Sequence, residues 1–325
     1  MTSVKDPEFI KSLRGLVKDP YKFQRYCHQK YLLINDLEMK RRGNMLYRQE
    51  KAKRNETLNR YYNILPFDKN RVVLSDPRLG PAGNSSCNDA DDEDEDEEDG
   101  YINASWILAP YEIPRIYIAT QGPTMATLID FWRMVVEQRV PVIVCLTPIS
   151  EDGFEKCARY WPLGDEIMHI RHNDNKEINV KISNIKKEKK DSEADSIVRT
   201  ILIQFYRNEE LIEQARVTQL QFLGWPDHGV PKETSKVINL IRLTRQLQEV
   251  DKPVLVHCSA GCGRTGTFCV IDSAEILLKM HDNLAIDPIF LLIDEFRKQR
   301  TTMVQSLSQY SFCYKALLDF IDQEE

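Results

Sequence analysis

The 325-residue chain has no apolar run near the roughly 18–20 residues that a membrane-spanning helix needs. Its longest runs, such as Val140-Pro141-Val142-Ile143-Val144-Cys145-Leu146, have the length of a core strand. No secretory signal pattern is present. The eight cysteines, Cys27, Cys87, Cys145, Cys157, Cys258, Cys262, Cys269 and Cys313, lack the spacing of a disulfide framework. A chain of this size buries about 75% of its unfolded surface and needs no such staples, so reduced thiols in the cytosol or nucleus are expected. Cys258 and Cys262 form C-x3-C, yet no second cysteine or histidine pair stands at zinc-finger spacing. No structural zinc is therefore expected, and the chain as a whole is read without a metal, a cofactor or a nucleic-acid partner. An internal repeat is also missing, which excludes a solenoid.

Charge is plentiful but unevenly placed. Ten of the eleven residues from Asp89 to Asp99 are acidic, and without them the formal net charge changes from −6 to +4. Self-repulsion and the lack of hydrophobes predict a disordered acidic insertion at about 76–99, which reads as an inert solvated segment before a site for a basic partner or for the chain's own basic body. The mildly basic remainder suits acidic partners. Up to about residue 58 the chain is rich in Lys, Arg, Leu and Glu and sparse in Gly and Pro, which suits helices. Its short clusters Lys40-Arg41-Arg42 and Lys51-Ala52-Lys53-Arg54 read as solvated helix faces before import or lipid-binding signals.

The richest segment is His257-Cys258-Ser259-Ala260-Gly261-Cys262-Gly263-Arg264-Thr265. Pro253-Val254-Leu255-Val256 before it reads as a short buried strand, and the periodic stretch Thr265 to Leu278 after it as a helix. Cys258 then sits between a strand end and a helix start. Loop and first-turn N–H groups have no intrahelical partner there and can converge on an oxyanion, with the helix dipole adding positive potential. Arg264 adds a two-pronged clamp for phosphate oxygens. The same field favours the thiolate of Cys258, because cysteines at such positions fall from about 8.5 to about 3.5–7.5 in pKa.

This segment resembles the H-C-x-x-G-x-x-R-[ST] signature of the cysteine-dependent, tyrosine-specific protein tyrosine phosphatases. Further segments extend the resemblance in family order from about residue 59 to 321. Asn59-Arg60-Tyr61-Tyr62-Asn63-Ile64-Leu65-Pro66-Phe67 is similar to the phosphotyrosine-recognition loop. Tyr101-Ile102-Asn103-Ala104-Ser105, Tyr117 to Pro123, Asp130 to Met134 and Lys156 to Pro162 match scaffold motifs. Trp225-Pro226-Asp227-His228-Gly229-Val230-Pro231 resembles the mobile acid loop, and Val304-Gln305-Ser306-Leu307-Ser308-Gln309-Tyr310 the glutamine loop.

The resemblance implies a fold and a set of roles. The fold is α/β, a single domain with a twisted mixed sheet flanked by helices. A helical extension over 1–58 packs on a catalytic domain over 59–325. Single-domain organisation also follows from the motifs, which form one site only if the intervening chain folds as a unit. Strand-like runs at Arg71–Leu74, Arg115–Thr120, Val140–Leu146, Glu177–Ile185, Val198–Arg207, Arg216–Phe222 and Val254–His257 alternate with helix-like ones. The latter are Thr127–Glu137, Ser235–Gln248, Arg264–Met280, Pro288–Lys298 and one after Ser308, with Asp287 and Pro288 as a start signal.

As to roles, Cys258 would be the nucleophile and Arg264 the clamp. The backbone of Ser259, Ala260, Gly261, Cys262 and Gly263 would line the anion site beside His257. Asp227 would be general acid and then base, closing over substrate with its loop. Gln305 would be the principal positioner of water, with Gln309 a second polar contact. Thr265 would stabilise the departing thiolate or merely start the helix. Tyr61 would be the ring-stacking wall that selects phosphotyrosine proteins, and Asn63 stands where several members place an aspartate that holds the peptide. Glu151 and Lys156 match an acid bracing the cage arginine and a lysine meeting the acid loop, or are ordinary surface charges. Arg297 and Arg300 would brace the cage, while Thr302 narrows an adjoining side pocket. The rival readings are a silent phosphotyrosine-binding module, disfavoured by the intact Cys258, Arg264, Asp227 and Gln305, and a dual-specificity or lipid phosphatase, disfavoured by Tyr61.

Overall fold

The computed structural model describes residues 8–79, 100–171, 177–226, 229–281 and 285–323. Among these the helices are α1 (Glu8–Val17), α2 (Pro20–Arg41), α3 (Glu50–Arg54), α4 (Leu128–Glu137), α5 (Thr234–Leu247), α6 (Gly263–Met280), α7 (Pro288–Arg297) and α8 (Leu307–Asp322). The strands are β1 (Arg71–Leu74), β2 (Gly100–Leu108), β3 (Ile116–Thr120), β4 (Val142–Cys145), β5 (Ser150–Glu151), β6 (Phe154–Glu155), β7 (Ile167–Arg171), β8 (Ile178–Asn184), β9 (Lys189–Asp191), β10 (Ser196–Arg207), β11 (Glu210–Phe222) and β12 (Val254–His257). Among the described residues no helix is long and apolar enough to cross a membrane.

The main sheet runs β1-β2-β3-β12-β4-β11-β10-β8-β7, with β9 added against β10 and β5–β6 forming a separate hairpin. Its middle is parallel: β12 pairs with β3 and β4, and β4 pairs with β11. The flanks are antiparallel, which makes the sheet mixed as expected. A central parallel strand is covered on both faces, and this is why β12 is apolar from Val254 to Val256 and buried through His257. Val254 and Val256 enter a core shared with α1, α2 and α5 to α8, while Leu255 enters a second core built largely on α4. Both clusters converge on β12, so its carboxyl end is anchored from both sides. Ligand sites of α/β sheets form beyond such strand ends.

Local chemistry fixes the helices that frame this point. Asp287 Oδ1 accepts the N–H of Phe290 at 3.1 Å and Pro288 takes the first helical position, starting α7 where the sequence signals it. Asp19 and Pro20 do the same for α2. Phe9, Ile10, Leu13, Phe23, Cys27 and Ile34 of α1 and α2 are buried in the core that also holds α7 and α8.

Two strands escape the periodicity rules. In β2 the buried Asn103 and Ser105 interrupt the apolar pattern, and β7 is half-exposed at the sheet edge. The β10–β11 hairpin also extends beyond the expected ends, because Asn208 and Glu209 turn it with φ of 49° and 69° and no glycine marks the spot. Residues 76–79, read as the start of the disordered insertion, are instead held in place. Leu79 is 1% exposed, Asp76 pairs with Arg78, and Arg133 and Arg207 bind the carbonyls of Asp76, Pro77 and Arg78. The acidic run Asp89–Asp99 lies outside the described residues.

Candidate active site

The loop from Cys258 to Cys262 joins β12 to α6, and every one of its carbonyls is engaged elsewhere. His257 Nδ1 lies 3.1 Å from the Cys258 carbonyl, and the Gly122 N–H donates to that of Ser259 at 2.9 Å. Arg300 holds the carbonyls of Ala260 and Gly261 at 3.0 and 2.7 Å. The Cys262 carbonyl accepts from Gly266 and Val304. A trans peptide points its C=O and the next N–H in opposite directions, so carbonyls drawn outward turn the N–H groups of residues 259–263 inward. The Gly261 N–H accordingly donates to Cys258 Sγ at 3.2 Å. Gly261 is obligatory: its φ is +71°, and a Cβ there would lie 2.1 Å from the Thr120 carbonyl oxygen.

Arg300 is fully buried, and its other contacts are Ser105 Oγ and Asn103 Oδ1 at 3.1 and 2.8 Å. The polar residues that interrupt β2 thus position the arginine that shapes the loop. His257 is buried and neutral, because desolvation lowers its pKa to about 4. A carbonyl only accepts, so Nδ1 carries the proton and Nε2 accepts from Tyr160 Oη at 2.7 Å. The ring therefore orients Cys258 and adds no charge to it.

Burial pushes the Cys258 thiol up, but the Thr265 hydroxyl, the Arg264 charge and the N–H groups of Thr265 and Gly261 pull it further down, and the net direction is toward thiolate. Thr265 Oγ1 is buried and makes no hydrogen bond of standard geometry among the described residues, which leaves it free to turn toward the sulfur. Arg264 is gripped by Glu151, Nη1 to Oε1 at 2.5 Å and Nη2 to Oε2 at 3.0 Å, and also donates to the carbonyls of Leu146 and Pro226. Glu151 is 6% exposed on the β5–β6 hairpin and is not an ordinary surface charge. The other described cysteines move the opposite way on burial: Cys27 and Cys145 to about 11, Cys262 to about 12, and Cys157, Cys269 and Cys313 upward. Mild peroxide should therefore oxidise Cys258 first among these seven, to a sulfenic acid reversible by thiol. Peptide mass mapping that found the first oxidation at another of them would contradict this.

The recognition segment is tied to the same loop. Ser259 Oγ donates to the Lys156 carbonyl at 3.0 Å, which leaves it to accept from Tyr61 Oη at 2.8 Å. Tyr61 thereby stands as a wall beside the cage. Arg60, which the sequence reading left without a role, fastens this segment through the carbonyls of Gly122, Pro123 and Glu155. Asn63 is exposed. Lys156 reaches over the Phe154 ring at 5.8 Å; Asp227, its expected neighbour, lies outside the described residues.

Gln305 and Gln309 face the start of α6, where a Cβ on Gly263 would come within 3.3 Å of Gln305 Cβ and 3.0 Å of the Gln309 amide. Their roles divide. Gln309 Oε1 accepts the N–H of Gln305 at 2.9 Å and of Ser306 at 3.3 Å, closing a capping box with Ser306 at the start of α8. Its carbonyl is thus spent on structure, whereas Gln305 is exposed toward solvent. Arg297 does not touch the cage. It binds the carbonyls of Met303 and Val304 and the side chains of Asn35 and Glu38, and the Val304 N–H in turn donates to the Cys262 carbonyl.

A cysteine set under inward N–H groups and beside an arginine held by Glu151 thus stands beyond the end of a central parallel strand of an α/β fold. A sequence model described as "Protein-tyrosine phosphatase" matches residues 55–319, and the chain belongs to that family. Human tyrosine-protein phosphatase non-receptor type 12 is 33% identical over 98% of this chain and 37% of its own length. The protein-tyrosine-phosphatase PTP1 of Arabidopsis thaliana is 35% identical over 81% of this chain and 70% of its own. The chain spans 28% of the mouse receptor-type tyrosine-protein phosphatase alpha, at 36% identity. Among solved structures, the catalytic domain of human protein tyrosine phosphatase non-receptor type 18 aligns with a TM-score of 0.75 and 30% identity, covering 91% of this chain and 96% of that one.

Proposed function

We propose that the chain hydrolyses phosphotyrosine in proteins through a phosphocysteine intermediate. The observation that carries this reading is the outward engagement of every carbonyl around Cys258, which leaves a ring of N–H donors about a sulfur biased toward thiolate. In the first step the Cys258 thiolate attacks phosphorus in line. An S–P bond forms, the P–O bond to the tyrosine oxygen breaks, and Asp227 gives that oxygen its proton. Arg264 and the N–H ring hold the equatorial oxygens, where transition-state charge spreads. In the second step water attacks phosphorus, Asp227 takes its proton, and the S–P bond breaks. Gln305 orients the water, and the Thr265 hydroxyl receives the returning thiolate. The scheme calls for no metal, since Arg264 and the backbone supply the positive field.

Tyr61, held upright on Ser259, supports selection for an aromatic phosphate ester long enough to reach the cage. With chelator present, a phosphotyrosine peptide should be hydrolysed with kcat/KM about 10²-fold above phosphothreonine peptide or phosphoinositide. Equal rates on all three would overturn tyrosine specificity. A cytosolic or nuclear, signalling role belongs to the same proposal, supported by seven free thiols among the described residues. So does a basic partner for Asp89–Asp99, which rests on charge density alone.

A further inference from the structure

The turn that delivers Gln305 is strained. Thr302 and Val304 are both β-branched and sit at φ of 61° and 60°, a region such side chains rarely adopt. Conformations of this kind persist only where the surroundings over-determine them. Part of that restraint comes from the cage side, where the Val304 N–H donates to the Cys262 carbonyl, and from Arg297, which holds the carbonyls of Met303 and Val304. The rest comes from α2, which precedes the stretch matched by the family. Glu38 Oε1 accepts the Thr301 hydroxyl and the Thr302 N–H, each at 2.8 Å, while Oε2 pairs with Arg297 at 2.9 Å. Asn35 takes a further N–H of Arg297 at 2.8 Å. Tyr31 Oη donates to the carbonyl of Gln305 itself, and its ring packs against Tyr310 of α8.

We propose that Tyr31 and Glu38 of α2 are positioning residues for the hydrolytic step, holding the strained turn 302–304 so that Gln305 meets the attacking water. They act at the backbone of the turn and touch neither Cys258 nor the tyrosine leaving group. Formation of the phosphocysteine therefore does not depend on them; its breakdown does. The inference rests on the reading of Gln305 given above.

The test is rapid mixing of the full chain with saturating p-nitrophenyl phosphate, following the first turnover. Tyr31→Phe keeps the ring and removes the donor; Glu38→Ala removes both acceptors, and Glu38→Gln keeps an acceptor oxygen. Tyr31→Phe and Glu38→Ala should each lower kcat about three- to tenfold, the scale of one or two lost hydrogen bonds. KM should fall in parallel, so that kcat/KM is unchanged, and a burst of nitrophenolate should mark accumulated phosphoenzyme. Glu38→Gln should recover most of kcat. Gln305→Ala provides the reference burst. If Gln305→Ala bursts and the α2 variants do not, the brace is refuted and the reading of Gln305 stands. If Gln305→Ala shows no burst, that reading falls and the brace with it. A loss of kcat/KM in proportion to kcat, together with a lowered melting temperature, would show that α2 only supports the fold, and would equally overturn the proposal.

Discussion

Cys258→Ser is expected to abolish turnover while leaving phosphopeptide binding intact. The two properties separate because they come from different atoms. On the proposed reading, binding comes from the N–H groups of residues 259–263 and from Arg264, which are held by His257, Arg300, Gly122 and Glu151; of these donors the Gly261 N–H also meets the sulfur, and a serine oxygen can accept it as well. Nucleophilicity belongs to Sγ alone, drawn toward thiolate by the Thr265 hydroxyl, the Arg264 charge and two N–H groups against the pull of burial. A serine hydroxyl has a far higher pKa, and the same surroundings leave it protonated. Steady-state kinetics with equilibrium binding of a phosphotyrosine peptide checks this. Residual activity above a few per cent, or loss of binding with turnover, would remove Cys258 from the nucleophile's role.

What the sequence disclosed about this site follows the range over which each feature is encoded. The nucleophile loop is local: strand, small-residue turn and helix start lie within one short stretch, and the apolar run of β12 and the Asp287–Pro288 start of α7 could be read directly. The bracing residues are not local. Glu151 lies 113 positions from Arg264, and Tyr31 lies 274 positions from Gln305. Family resemblance supplied Glu151; nothing in the periodicity of α2 marks Tyr31 or Glu38. Arg297 and Arg300, one helical turn apart, looked equivalent in sequence. The fold gives one the loop carbonyls and the other the strained turn. Gln309 shows a local signal passed over, since Ser306-Leu307-Ser308-Gln309 is a capping-box pattern that predicts where its carbonyl goes. Strand β2 was hidden for a chemical reason: its Asn103 and Ser105 are polar because Arg300 needs acceptors in the core.

Asp227→Ala is expected to lower kcat by about 10²–10⁴, the range of general acid–base contributions, with little change in substrate affinity. Asp227 lies outside the described residues, but its neighbours Trp225, Pro226 and Gly229 lie within them. Trp225 is buried against Phe222 and Phe312, and its indole N–H donates to the Gly229 carbonyl at 3.2 Å, bridging the two sides of the acid loop. On the near side, the Pro226 carbonyl accepts from Arg264 Nη2 at 3.3 Å. The residue preceding Asp227 is thus in contact with Arg264, the arginine proposed to clamp phosphate. The sign of the pH dependence follows from the two ionisations. On the proposed roles, activity is expected to fall on the acid side as the Cys258 thiolate is protonated, and on the alkaline side as the group serving as acid is deprotonated. Removing Asp227 should therefore flatten the alkaline limb of the kcat/KM profile and leave the acid limb, which still reports Cys258 and the substrate. With Asp227 proposed as acid in the first step and base in the second, the loss should be smaller, though not absent, for esters with good leaving groups, whose first step needs no acid, than for phosphotyrosine. A profile that stays bell-shaped in Asp227→Ala would assign the proton to another group, and an equal loss on both kinds of ester would show that the carboxylate matters to the second step alone.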